Sequence, residues 1–388
     1  MLLYIASCIV SLFIALNKGF PDTNLRITIG RSLLMLIPFH AFIVVILYND
    51  LQKGKMVKLI TLSLSLLLVI NLVGYFGLGL TNPVHSIEGR LSMPFIESFY
   101  SGANLLAIIN LILLYYLFRL QSNPWRFASL LSFFIVNLLL LYLINSRLST
   151  LILLLVIGLF LFRLITARGL FISSMFTIPV LLSCGFLLYQ MLQLPGFLFL
   201  VQRADIQDVV TFNGRAFLWK DAVEWLLYDQ RGLLFGNGYK GHYFLDLIHD
   251  VVLLWNAVDA QHLHLHSTSL EILVNQGVVF FSVFIILFYK VYRYHKRKYL
   301  EGYEEGAFFA VVIFLLFIMQ VDGFVYMDAM GFILFSLLIS RTSVSAATTA
   351  NPAIKPPGAS GEHLELMPVN VMARHGQSHG DNLKKQKL

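Results

Sequence analysis

Long apolar runs limit what this chain can fold into more than any other feature of its sequence. A membrane-spanning helix needs about 20 mostly apolar residues, whereas the strands of a membrane barrel are about 9–11 residues long and alternate in polarity. The candidate runs lie at 2–17, 32–48, 58–80, 101–118, 127–144, 148–166, 170–192, 269–289, 306–321 and 328–340. The runs predict an all-α polytopic membrane protein with about ten to twelve transmembrane helices.

The composition supports this fold class. Of 388 residues, 58% are hydrophobic and 13% are charged, whereas soluble domains carry about 25% charged residues. So little charge cannot cover a water-soluble surface, which excludes a soluble enzyme, a disordered protein and a nucleic-acid binder. Cys8 and Cys184 both lie in apolar runs, so neither a disulfide framework nor a cysteine metal site is expected.

The positions of the basic residues predict the orientation, because cytoplasmic loops are enriched in Lys and Arg. With the N-terminus inside, the inner connections hold Lys53, Lys55, Lys58, Arg119, Arg126, Arg163, Arg168, Lys290, Arg293, Lys296, Arg297 and Lys298. The short outer connections hold only Lys18, Arg26, Arg31, Arg90 and Arg147. We therefore expect both termini to be cytoplasmic, in a multi-pass membrane protein.

Four regions follow from this orientation. Residues 1–192 hold seven transmembrane helices, and 193–268 form one large extracytoplasmic (periplasmic) loop. Residues 269–340 hold the C-terminal transmembrane helices, and 341–388 form a disordered cytoplasmic tail. The first apolar run lacks a basic leading segment and a small-residue cleavage site, so it is interpreted as a retained span rather than a signal peptide.

Ionisable residues are scarce in the predicted spans and concentrate at their outer edge. Transporters and pumps usually carry such residues near the bilayer midplane, so this distribution argues against transport. The polar Asn104, Asn110 and Asn137 are expected to form hydrogen bonds between helices. The outer-edge groups are Arg147, Arg203, Arg215, the histidines at 262, 264 and 266, and Glu271.

The segment 213–229 of the outer loop predicts an amphipathic helix lying in the membrane interface. Asn213 is a suitable N-cap, and Arg215 then lies where backbone N–H groups favour an anion such as phosphate. The alternative is that Arg215 snorkels or pairs with Asp205 or Asp208. The predicted apolar face holds Leu218, Trp219, Ala222, Val223 and Leu226.

The densest group of titratable residues is the run from His262 to Glu271. As a strand it would place His262, His264 and His266 on one face, and as a helix it would pair the first with the last. Without an H-E-x-x-H motif or a nearby cysteine, a metal is not expected. A histidine here can act as a general base or bind phosphate, while at least one of the three is expected to be structural.

Three motifs occur in an order that resembles a known family. Asn145–Thr150 opens an apolar run after a tight turn. Asn213–Trp219 is followed by the glycine-rich Leu234–Gly238, which in isolation predicts only a flexible turn. His264–Glu271 is followed by Asn275-Gln276-Gly277. Over about 60–340, the chain is similar to the O-antigen ligase and polymerase superfamily of bacterial membrane glycosyltransferases.

The resemblance implies transfer of a glycan from an undecaprenyl-diphosphate-linked donor to a sugar hydroxyl. The reaction would take place among membrane lipids at the outer face of the bacterial cytoplasmic (inner) membrane. The acceptor is a glycan in a polymerase and the lipid A-core in a ligase, and neither a cofactor nor a metal takes part. Arg215 and Arg147 would stabilise the diphosphate leaving group, and His266 would be the general base. The residues expected around the substrates are Arg203, His264, Glu271, Asn213 and Gly214.

Four alternatives remain open. Ser267 stands where the family usually has Asn, which slightly favours a polymerase over a ligase. Glu271 would either orient the His266 imidazole or replace it as base. A transporter or flippase of lipid-linked sugars would require charged residues along a central path and inverted repeats, which the sequence does not show. A scaffold without catalysis would leave the clustered Arg and His residues unexplained.

Overall fold

The computed structural model describes residues 6–17 (without 8, 12, 15 and 16), 56–81, 91–119 (without 92 and 97), 123–177, 215–238 (without 229), 241–244, 264–328 (without 327) and 330–339. Of these residues, 84% are helical and none lies in a strand. The predicted all-α fold is confirmed at this level.

The helices are numbered in chain order. They are α1 (Met56–Leu72, continued by a π-helical turn Val73–Gly77), α2 (Phe99–Arg119), α3 (Pro124–Ile144), α4 (Arg147–Leu161), α5 (Leu170–Met175), α6 (Arg215–Tyr228), α7 (Gln230–Phe235), α8 (Gly241–Phe244), α9 (Thr268–Leu300), α10 (Ala307–Val321) and α11 (Met330–Ile339). Short 3₁₀ turns at Leu164–Thr166 and Glu304–Gly306 precede α5 and α10.

Five helical segments in the described part are long and apolar enough to cross a membrane. They are Lys58–Gly77, Tyr100–Arg119, Pro124–Ile144, Thr268–Leu300 and Glu304–Val321. Two further predicted runs appear as the shorter apolar helices α4 and α11. The predicted runs 2–17, 32–48 and 170–192 fall wholly or partly outside the described residues, so the count of ten to twelve stays a prediction.

The predicted tight hairpin between two runs is confirmed. The α3 helix begins after Asn123, whose side chain accepts the Arg126 N–H at 3.2 Å, with Pro124 in the first turn where its missing N–H costs nothing. It ends at Asn145, which adopts the left-handed conformation (φ 59°) that Asn tolerates better than most residues. Only Ser146 separates this residue from Arg147, where α4 begins.

The burial of the apolar helices separates a central pair from peripheral ones. Of the most apolar window in each helix, 89% is buried inside the protein in α2 and 83% in α10, against 28% in α1 and 22% in α3. Apolar side chains that point outward from the peripheral helices suit a lipid environment. The two central helices therefore provide the rigid frame on which polar groups at the helix ends are held.

The apolar helices alternate in direction, so their ends form two groups. At one end, the starts of α2, α4 and α9 meet the ends of α3 and α10. Hydrogen bonds join Ser149 to Asn104 (2.8 Å) and the Thr268 N–H to the Asp322 carbonyl (3.0 Å). We call this the histidine end, because residues 264–266 lie there.

The opposite end carries most of the basic residues of the described chain, and we call it the basic end. There Tyr115 donates its hydroxyl hydrogen to the Tyr303 carbonyl at 2.7 Å, and the Arg119 guanidinium donates to the Gly302 carbonyl. This separation matches the polarity expected from the sequence. Which end faces the cytoplasm stays a prediction.

Candidate active site

Arg215 meets His264, His266 and Glu271, which come much later in the sequence, at the histidine end. Arg215 is the first residue of α6, the two histidines lie in the turn before α9, and Glu271 lies in the first turn of α9. The cluster therefore forms at the start of a long apolar helix, where polar side chains can leave the apolar layer.

Arg215 is almost completely buried and is held on two sides. Its Nη1 donates to the carbonyl oxygen of Val321 at 2.8 Å, and its guanidinium carbon lies 5.3 Å from the centre of the Tyr100 ring. The Asp322 carboxylate lies close enough for the two charges to interact. The backbone of α10 and the first turn of α2 thus fix the direction of the guanidinium.

Residues His264–Ser267 form a turn, so neither the strand nor the helix alternative describes this stretch; His262 lies outside the described residues. The His266 N–H donates to His264 Nδ1 at 3.1 Å, and the two imidazole rings lie 3.9 Å apart. A neutral His264 therefore carries its proton on Nε2. Ser267 caps α9 by accepting the Leu270 N–H at 3.3 Å, a role that Ser and Asn perform about equally well.

His266 and Arg215 both lie beside the Tyr100 ring. Its ring centre lies 6.5 Å from that of Tyr100, whose ring also faces the Arg215 guanidinium. Its Nδ1 is buried although the residue as a whole is partly exposed. Burial, together with the charges of His264 and Arg215, lowers the pKa of His266 well below its usual value. The imidazole is therefore neutral at pH 7, as a proton acceptor must be.

Glu271 is completely buried, and both of its carboxylate oxygens face nitrogen atoms. Oε1 accepts the Leu265 N–H at 2.5 Å. Oε2 lies 3.2 Å from Nδ1 of His242, which is also completely buried, and accepts from Asn275 Nδ2 at 3.3 Å. The imidazole that Glu271 contacts directly is thus that of His242. Its contact with the histidine turn is through the Leu265 backbone.

The peptide groups of Leu265 are held on both sides. While its N–H is bound by Glu271, its carbonyl accepts from Trp219 Nε1 at 3.0 Å. His266, the next residue, has a positive φ of 49°, which costs energy for a residue other than glycine. The two anchors at Leu265 hold the turn in this conformation, and so fix where the His266 imidazole lies.

The glycine-rich turn packs against a kink in α9. Gly277 interrupts the helix with φ 76° and ψ 176°. A Cβ on Gly277 would lie 2.4 Å from the Leu234 carbonyl oxygen, and one on Gly236 would lie 2.3 Å from that of Asn275. Asn275 Oδ1 also accepts the Gly241 N–H at 2.8 Å. These glycines therefore permit two backbones to cross closely, which places α8 and His242 beside Glu271.

The predicted helix in the outer loop is present as α6, but most of its apolar face is buried in the protein instead of lying in the membrane interface. Leu218, Trp219 and Ala222 are fully buried against the protein, and Val223 is 40% exposed. The Trp219 ring nitrogen binds the Leu265 carbonyl rather than reaching a membrane interface. Burial inside the protein thus accounts for Leu218, Trp219 and Ala222 of the predicted face.

Among the other predicted site residues, the structure describes only Arg147, and its side chain makes no polar contact with the described cluster. The Arg147 side chain is exposed at the start of α4, and no hydrogen bond or ion pair links it to the cluster among the described residues. The first turn of α4 is nonetheless close, because Ser149 binds Asn104 and the Asn104 amide lies beside Asp322. Arg203, Asn213 and Gly214 lie outside the described residues.

Three cluster residues were not identified from the sequence. Tyr100 had no distinguishing signal, because it is one of many aromatic residues near an apolar run. His242 could have been noticed as the histidine that ends the glycine-rich stretch. Asp322 could have been noticed as a charged residue directly after an apolar run. Within the described part of the chain, no group of three or more His, Cys, Asp and Glu side chains has a metal-binding arrangement.

Comparison with known proteins adds no family assignment. No protein-family model and no curated protein matches the chain.

Asp322 gives the site a pH dependence that can be measured. Burial, with a smaller effect of Asp328, raises the pKa of Asp322 from 3.8 to about 6, although the Arg215 charge opposes the change. Because the folded state then holds this proton more tightly, the contribution to stability is full below pH 4 and is lost as the pH rises through 6. A change of this size corresponds to about 3 kcal/mol.

We expect Asp322→Asn to remove this dependence. Between pH 4 and pH 7 the wild-type protein should lose stability relative to the variant, as measured by thermal unfolding in detergent. The comparison cancels the opposite contribution of His266, which both proteins share. A stability difference that stays constant over this pH range would contradict the assignment.

Proposed function

We propose that the protein is a glycosyltransferase that moves an oligosaccharide from a lipid diphosphate carrier to a sugar hydroxyl. The observation that supports it best is the meeting of Arg215 and His266 against the Tyr100 ring, at the ends of apolar helices. A lipid carrier places its diphosphate at this level of a membrane. A cation held in one orientation can stabilise the leaving diphosphate, and a neutral imidazole nearby can accept the proton of the attacking hydroxyl.

In the proposed reaction, the acceptor oxygen attacks the anomeric carbon while the bond from that carbon to the diphosphate oxygen breaks. His266 takes the proton of the attacking hydroxyl, and His264 holds the neighbouring backbone. Arg215 lies where it can stabilise the charge that develops on the leaving diphosphate. Asp322 and the Val321 carbonyl keep the guanidinium oriented before the donor binds. By the family resemblance, the displacement inverts the anomeric centre.

Glu271 serves this proposal by holding the histidine turn rather than by acting as the base. Both of its oxygens already accept or face N–H groups, and its side chain is inaccessible to solvent. A base must reach the proton that it removes. The partly exposed His266 meets this requirement better than Glu271 does.

Replacing His266 by asparagine tests the base directly, because asparagine tolerates the positive φ at this position. We expect kcat to fall about 10²–10⁴-fold, with little change in donor KM and in the unfolding temperature. In the wild-type enzyme, activity should persist to below pH 6.5, since the lowered pKa keeps the imidazole neutral there. Full activity in the His266→Asn variant would rule out this role.

The acceptor distinguishes the two forms of the proposal. In cells lacking a polymerase, single repeat units should remain on the acceptor, whereas cells lacking a ligase should accumulate long polymer on the carrier. By the family resemblance, Ser267 in place of Asn favours the polymerase. Gel analysis of surface polysaccharide from a deletion strain separates the two outcomes.

A further inference from the structure

Three cations lie at the basic end, where the turn between α4 and α5 packs against the last turns of α9. Lys296 donates from Nζ to the Thr166 carbonyl at 2.6 Å. Arg168 is close enough for its charge to act on Lys296. The charge of Arg163 is close enough to act on Tyr299, which lies almost one turn further along α9. We call Arg163, Arg168 and Lys296 the cationic seam.

No carboxylate neutralises the cationic seam within the described part of the chain. The ion pairs found at this end are made by residues further along α9 and in the turn that follows it. The side chains of Arg163 and Arg168 are exposed. The neighbouring charges of Arg168 and Lys296 repel each other and raise the energy of the folded state, and an anion bound beside them would offset this cost.

The surface next to the cationic seam is apolar. Phe162 is 77% exposed and Leu161 is 54% exposed at the end of α4, and Ile172 of α5 is 65% exposed. The short α5 is fixed to α9 by Phe171, whose ring centre lies 5.1 Å from that of Tyr289. Cations directly beside exposed apolar side chains match a ligand that has an anionic head and apolar chains.

The length of α9 supports a position at the level of lipid headgroups. The part of α9 that follows the Gly277 kink runs to Leu300 and extends about 35 Å, whereas the hydrocarbon layer of a bilayer is about 30 Å thick. Because α9 starts at the histidine end, its last turns reach the opposite face of that layer. Tyr289 and Tyr292 stand just before Lys296, where aromatic residues often mark the membrane interface.

We propose that the cationic seam binds the phosphate of an anionic phospholipid, whose acyl chains lie along Leu161, Phe162 and Ile172. Arg163 and Arg168 contact the phosphate from the turn, and Lys296 contacts it from α9. The lipid then joins the two elements at the membrane surface. This binding is independent of the proposed catalysis, since it lies at the opposite end of the helices.

Native mass spectrometry of the purified full-length protein tests the proposal, with phosphatidylglycerol and phosphatidylcholine as probes. The wild-type protein should retain phosphatidylglycerol preferentially. The Arg163→Gln/Arg168→Gln variant should bind it about thirtyfold more weakly, as expected for two cations at an anionic membrane surface. Both side chains are exposed, so its unfolding temperature in lipid-free detergent should match that of the wild type.

A matched control removes two other exposed cations of the basic end, in Lys58→Gln/Arg126→Gln. This variant should bind phosphatidylglycerol as the wild type does. An equal loss in both double variants, or no loss in the first, would overturn the site. If millimolar inorganic phosphate displaces the lipid and phosphatidylcholine binds equally well, the cationic seam binds a free anion instead, and the lipid proposal fails.

Discussion

Arg215→Ala should reduce glycan transfer at least about a hundredfold, the largest effect on activity that we expect from a single substitution. Loss of one positioned donor to a developing negative charge typically costs a factor of 10²–10³. The buried guanidinium is already oriented by the Val321 carbonyl and the Tyr100 ring. The measurement is the initial rate of transfer by protein purified in detergent, with the unfolding temperature recorded beside it.

Two further variants separate the chemical role of Arg215 from a general effect of charge. Arg215→Lys keeps the charge but loses the planar fork that matches phosphate, so it should recover little activity. Lys220→Ala removes an exposed cation from the same helix, where Lys220 pairs with the exposed Glu224 at 3.3 Å, and should leave the rate unchanged. Comparable losses in Lys220→Ala and Arg215→Ala would remove the basis for a specific role.

Glu271→Ala is expected to have the largest effect on stability. It would leave His242 and the Leu265 N–H without the buried carboxylate that both now face. Leaving a buried donor without its acceptor typically costs about 1–3 kcal/mol for each group, which should appear as a large fall in the unfolding temperature. The histidine turn should also lose its anchor, so transfer should fall even in protein that remains folded.

A double-mutant cycle shows whether the effect belongs to the pair. His242→Gln and Glu271→Gln should each be destabilising, and the double variant should be less destabilised than the sum of the two. The matched surface pair Lys220 and Glu224 offers a control, because exposed pairs contribute about 0–1 kcal/mol. Additive losses for His242 and Glu271 would mean that the two side chains do not act together.

The sequence was most informative about local structure. The α3–α4 hairpin, the helix beginning near Arg215 and the helix following the histidines follow from apolar periodicity and from capping residues, which act over a few neighbouring positions. The order of three motifs also led us to expect Arg215 and His266 in one site. That expectation came from a family resemblance and not from physical calculation.

The contacts between buried polar groups could not be predicted from the sequence. The pairing of His242 with Glu271 depends on the close crossing of Gly236 over α9, which is a long-range contact. The apolar face of α6 predicted that Trp219 lies in the membrane interface, whereas it is buried in the protein, because periodicity cannot distinguish a protein surface from lipid. The short turn at His264–Ser267 fits neither a strand nor a helix, because Glu271 and Trp219 fix it from outside.

The most direct test of the proposed function uses purified protein in liposomes, with a synthetic polyprenyl-diphosphate oligosaccharide as donor and a sugar acceptor on one side. We predict a new glycosidic product and an equal amount of released polyprenyl diphosphate, both formed at least about a hundredfold more slowly by Arg215→Ala and by His266→Asn. Movement of the intact donor across the bilayer without a new bond would contradict the account and indicate a transporter.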